Sequence, residues 1–120
     1  MHEYSATLVR VIDGDTIVCD IDLGFGIWLR KEHVRLARIN TPETRTKDLE
    51  EKFAGMEAKE YVTSVFEDLE YLDRYFTLKT FKDNGKYGRY VAEVLLHLSD
   101  GKVVNLNDDL LDRGLAVPYQ

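Results

Sequence analysis

The run from Tyr4 to Ile12 alternates in character residue by residue and then meets Asp13-Gly14. Successive strand side chains point to opposite faces, so alternation marks a strand with one buried face, and Asp-Gly between two such runs is a strong hairpin signal. Thr16–Leu23, rich in β-branched residues, reads as a second strand. Gly24-Phe25-Gly26 marks another turn, and Ile27–Ile39 reads as a long third strand.

The period then changes. Ala54, Ala58, Tyr61, Val62, Val65 and Leu69 recur at helical spacing within Leu49–Leu69, with acids mostly on the opposite face. Strand patterns return at Tyr75–Phe81 and Arg89–Leu98, around a polar turn at Lys82–Gly88. After a turn at Ser99-Asp100-Gly101, a short helix carries Leu106, Leu110 and Leu111 and stops at Gly114. The expected fold is α+β, mainly β: an OB-fold, a five-stranded barrel with a helix between strands 3 and 4 and a short C-terminal helix.

A chain of 120 residues fits one domain, 1–120. Its 44% hydrophobic and 32% charged residues argue against global disorder. No stretch approaches the roughly 18 apolar residues of a membrane span, so no membrane partner is expected. The N-terminus runs straight into strand-like sequence without signal-peptide features, which predicts a cytoplasmic protein, secreted if it has been trimmed. The lone Cys19 excludes an intramolecular disulfide and a cysteine-based zinc site, and it is expected in the core. The histidines His2, His33 and His97 show no ligand spacing.

Net charge is -6, superficially wrong for a nucleic-acid partner. Residues 47–73, however, hold nine acids against Lys47, Lys52 and Lys59 and account for all of it. The remaining chain is formally neutral and can carry a local basic cleft, and the local field governs phosphate capture.

Three stretches carry chemistry. In Val11-Ile12-Asp13-Gly14-Asp15-Thr16, Asp15 offers a hard oxygen ligand to a divalent cation, although the stretch also reads as a plain hairpin turn. In Val34-Arg35-Leu36-Ala37-Arg38-Ile39-Asn40-Thr41-Pro42-Glu43, an arginine in an apolar strand demands a partner or a ligand. Lys86-Tyr87-Gly88-Arg89-Tyr90 places a second arginine where a strand begins.

In joint order and spacing these stretches, with the closing Gly114-Leu115-Ala116, resemble the staphylococcal nuclease family along nearly the whole chain. That resemblance implies calcium-dependent hydrolysis of DNA and/or RNA; endonuclease action by a monomer is expected beside it, without a residue that settles either. It implies that Asp15, Asn40 and the carbonyl of Thr41 ligate Ca2+, with Asp13 assisting through water. Glu43 matches the acid that positions or activates water, and Arg35 and Arg89 match the arginines that grip the scissile phosphate. Lys86, Tyr87 and Tyr119 match residues lining the nucleotide pocket. The chemistry agrees: a cation and two guanidiniums set around phosphorus stabilise the charge that develops as water attacks.

Asn40 departs from the family pattern, which has Asp there, and predicts weaker calcium binding because affinity follows ligand charge. The segment between Asp15 and Arg35 is longer than the pattern. Its Trp28 is expected to pack into the core, the alternative being a base-stacking aromatic. A catalytically silent OB-fold module that binds nucleic acid or protein is the alternative function, disfavoured because Asp15, Arg35, Glu43 and Arg89 are all present.

Overall fold

The computed structural model of the chain describes residues 2–71, 75–80 and 90–119. Lys86, Tyr87 and Arg89, with the turn at Lys82–Gly88, lie outside the described residues.

Strand β1 (His2–Asp13) is long and serves two neighbours. Its first half pairs antiparallel with β5 (Phe76–Thr80) and its second half with β2 (Thr16–Asp22), Ala6 belonging to both registers. β2 pairs with β3 (Trp28–Leu36), and β5 with β6 (Tyr90–His97). Parallel pairing of β3 with β6, Arg35 opposite Val91, closes five strands into the expected barrel. A short β7 (Val103–Asn105) adds to β6, and β4 (Ile39–Asn40) pairs with β8 (Val117–Pro118).

The barrel fills with alternate side chains, as its pleat requires: Ile17, Cys19 and Ile21 from β2, Val34 and Leu36 from β3, Ala92, Val94 and Leu96 from β6. Helix α1 (Leu49–Tyr71) closes this core with Val62, Phe66 and Leu69, and Phe66 meets Phe76 edge-on at 4.9 Å. Asp48 caps α1, accepting from the backbone N–H of Glu50 at 3.0 Å. Helix α2 (Leu106–Asp112) buries Leu106 and Leu110. Between them Asn107, fully buried, accepts from Val94 N–H and donates to the carbonyls of Ala37 and Ala92.

Three expectations need correction. The third strand does not run unbroken to Ile39. It ends at Leu36, and Arg38 takes a left-handed φ of 69°, so the chain turns out of the barrel into β4. The Arg38 guanidinium holds that turn by pairing with Glu93 and Asp108. Ala54 faces solvent, whereas Phe66, unmarked by the helical spacing, is buried. Trp28 is half-buried outside the core cluster, with Arg30 lying 4.8 Å over its ring. No helix among the described residues is long and apolar enough to cross a membrane.

Candidate active site

The turn at Gly14-Asp15 is built differently from the hairpin that Asp-Gly suggests. Gly14 has no positive φ, so glycine is not needed there for its backbone freedom. Space requires it instead. A Cβ at Gly14 would lie 2.9 Å from both the Ala58 side chain on α1 and the Thr41 side chain. The turn is thus clamped between helix and loop, and Asp15 is only 9% exposed.

Each oxygen of Asp15 has a partner. Oδ1 accepts from the Thr16 hydroxyl at 3.0 Å, and Oδ2 accepts from the Thr41 backbone N–H at 3.0 Å. Arg35 Nη1 also lies 3.0 Å from Oδ2. The same guanidinium donates to the Ile39 carbonyl at 3.1 Å and to the side-chain oxygen of Asn40. The turn at Ala37-Arg38 makes this possible, because it folds β4 back along β3. The predicted positions Asp15, Arg35, Asn40 and Thr41 are therefore brought into one hydrogen-bonded cluster. Tyr119 joins it, its ring centroid 5.4 Å from the Arg35 guanidinium carbon, and its backbone N–H is fixed by the Arg38 carbonyl at 2.8 Å.

Glu43 stands two residues beyond Thr41, exposed, on the rim of a cavity of about 510 Å³ that Asn40, Thr41 and Glu51 also line. Its backbone N–H donates to the Glu51 carboxylate at 3.3 Å. Asp13 is set apart from this group. Its carboxylate accepts from the Thr44 hydroxyl at 2.7 Å and faces a different cavity.

Two contributors escaped the sequence reading. Gly55 of α1 sits where a Cβ would come within 2.6 Å of the Pro42 carbonyl oxygen and 2.7 Å of that of Glu43. The helix can seat the Glu43 loop only because this residue has no side chain; a lone glycine in a helical pattern was the available signal. Thr16 orients Asp15 through its hydroxyl, and nothing in the pattern marked it as more than a strand residue.

The donor set suits a hard cation. Asp15, Asn40 and Thr41 carry carboxylate, amide and peptide oxygens, the types calcium accepts, with Arg35 at Asp15 Oδ2 and Asn40 Oδ1, and the buried Thr41 hydroxyl oxygen has no hydrogen-bond partner among the described residues. No cluster of three or more His, Cys, Asp or Glu side chains of metal-binding arrangement occurs among the described residues, so any site here relies on amide and backbone oxygens as well. Cys19 takes no part: it is buried, and burial pushes its thiol up to about 12.

Residues 33–120 match the family described as staphylococcal nuclease homologue. Over 119 residues the chain is 32% identical to the thermonuclease of Staphylococcus hyicus, covering 96% of this chain and 59% of that protein. The chain thus spans about three-fifths of the length of the curated relative it matches.

Proposed function

Since this chain belongs to the staphylococcal nuclease family, we propose that it is a calcium-dependent nuclease hydrolysing phosphodiester bonds of DNA and/or RNA, with endonuclease action. The observation that carries this reading is the Arg35 guanidinium, half-buried at the barrel rim and held by Asp15, Asn40 and the Ile39 carbonyl, with the Glu43 carboxylate on the adjoining loop.

A guanidinium keeps its charge at any working pH, and its planar fork matches two phosphate oxygens. Fixed partners set the position of Arg35, so its charge needs no reorganisation as negative charge grows on the phosphorus-bound oxygens. Arg89 is assigned the opposite side of the same phosphate, from the motif alone. Glu43 orients the attacking water and accepts its proton, for which an exposed carboxylate next to the cavity is well placed. Tyr119, with Lys86 and Tyr87 by motif, bounds the nucleotide. Asp15, Asn40 and the Thr41 carbonyl, with Asp13 through water, would hold Ca2+, which when bound supplies further positive charge to the phosphate oxygens.

A silent binding module is the second reading. One observation favours it: Asn40 gives a neutral amide to Arg35 where the family pattern has an acid. Cleavage of single-stranded DNA and RNA in millimolar calcium decides between them. Cutting that is abolished by chelator and by Glu43→Ala establishes the nuclease, and no cutting by folded protein with calcium, manganese or magnesium leaves the module.

A further inference from the structure

Arg10 on β1 and His33 on β3 both stand directly opposite Val18 of β2. The core takes Ile17, Cys19 and Ile21 from that strand, so Val18 and its two cross-strand neighbours lie on the outer face of the barrel. Lys59, from α1, and Arg45, two residues beyond Glu43, reach the same face. With Asp13 and Thr16 these four side chains line a cavity of about 470 Å³.

Convergence sets this face apart, since Lys31, Lys47, Lys52 and Lys79 also form no ion pair among the described residues but do not line this cavity. Arg30, Arg35, Arg38, Lys102 and Arg113 each pair with a carboxylate, whereas Arg10, Arg45 and Lys59 form no ion pair among the described residues. Three unpaired cations converging on one cavity repel one another, an arrangement with no structural benefit in a chain whose net charge is -6. Among the described residues Asp13 is the only carboxylate in the lining, and its Oδ1 already accepts from Thr44. The cavity therefore carries net positive charge and presents N–H donors, the chemistry that receives an oxyanion. Its position is equally informative. Thr16 lines it and at the same time donates to Asp15 Oδ1 at 3.0 Å, so the cavity borders the Asp15–Arg35 cluster through one side chain.

We propose that Arg10, His33, Arg45 and Lys59 form an accessory subsite for a backbone phosphate of the substrate strand, flanking the phosphate held at Arg35. The assignment rests on the nucleic-acid reading above. It explains how an acidic protein grips a polyanion: the excess of acids lies within residues 47–73, and the phosphates follow the cationic face. It also makes affinity depend on strand length, since a strand must extend past the reacting centre to reach it.

The test is binding of a single-stranded thymidine octamer, kept uncut by chelator, followed from about 50 to about 200 mM salt. Replacing Arg10, Arg45 and Lys59 together by Gln should lower the slope of log affinity against log salt by about 0.7 for each phosphate no longer neutralised, and weaken binding roughly tenfold at the lowest salt. Arg10→Gln, Arg45→Gln and Lys59→Gln singly, checked for folding by circular dichroism, serve if the triple variant does not fold; each should show a smaller change in the same direction. An unchanged slope with affinity within twofold of the parent overturns the subsite, as does failure of the parent to bind the octamer. The nuclease reading stands or falls separately, on cleavage and its dependence on Glu43. A protein that cuts while these variants keep the parental slope loses only the subsite.

Discussion

Asp15 and Arg35 meet at 3.0 Å with side chains only 12% and 16% exposed, so each carries the charge that offsets the other's burial. Asp15 comes from the turn before β2, and Arg35 from β3 opposite Thr16, so the pair bridges two strands at the barrel rim. Arg35→Lys keeps the charge but loses the fork that reaches Asp15, Ile39 and Asn40 together. The expected costs are about 1–3 kcal/mol of stability in urea denaturation and about 10²–10³-fold in turnover. Parental turnover from Arg35→Lys would remove Arg35 from the mechanism.

Asn40→Asp adds a negative charge to the oxygen cluster and should tighten calcium binding. Calorimetry reads this directly, and equal or weaker affinity would refute the assignment of Asn40 as a ligand.

Gly55→Ala sets two effects against each other. Alanine is favoured over glycine in a helix by about 1 kcal/mol. Its Cβ would lie 2.6 Å from a backbone oxygen that cannot rotate away, and overpacking of that kind costs about 1–3 kcal/mol. The clash should prevail, so the variant unfolds at lower urea. Its cleavage rate should also fall, although no reactive group is altered, because the loop carrying Glu43 is displaced.

Asn107→Ala strands the Val94 N–H and the Ala37 carbonyl in the interior, while the Ala92 carbonyl keeps the Ala37 N–H at 2.9 Å. At about 1 kcal/mol or more for each orphaned group, a loss of roughly 2 kcal/mol is expected by chemical denaturation. A loss below about 1 kcal/mol would mean that water replaces the amide.

Tyr61 predicts an alkaline limit. Burial first, and then its hydrogen bond to Asp109, push its phenol from 10.0 up to about 12. The folded value is the raised one, so its stabilisation is complete below 10 and is lost as pH rises through about 12. Cys19, pushed by burial from 9.0 up to about 12, weakens the fold in the same way but from about pH 9. Tyr61→Phe should therefore lose less stability than the parent between about pH 10 and 12, measured as urea midpoints.

The barrel was legible because period-two alternation and the change to helical spacing are local signals. Arg35 and Asp15 were marked because charged groups in apolar or turn contexts stand out, whereas Glu43 was marked by the family resemblance alone. Arg38 was not: a positive φ at arginine is decided by Glu93 and Asp108, which come from β6 and α2. β7 and β8 were missed because two- and three-residue strands leave no period to read. Asp13-Gly14 was read only as a turn signal, since crowding of Gly14 by Ala58 and Thr41 has no local sequence signature. Arg10, Arg45 and Lys59 were not marked, because a strand, a loop and a helix bring them together only in the fold.

The parallel seam between β3 and β6 also has a temporal meaning. Arg38 and Glu93 are fifty-five residues apart in sequence, and Arg38 and Asp108 seventy. The turn that aims Asn40 and Thr41 at Asp15 is thus tied down by residues synthesised long after it. Contacts of such range form late in folding, because the loop between them must close first. A growing chain that has exposed every matched position up to Glu43 still lacks the seam and the α2 anchor. Under the proposed nuclease reading, that order delays the cluster around Arg35 until most of the chain has been made.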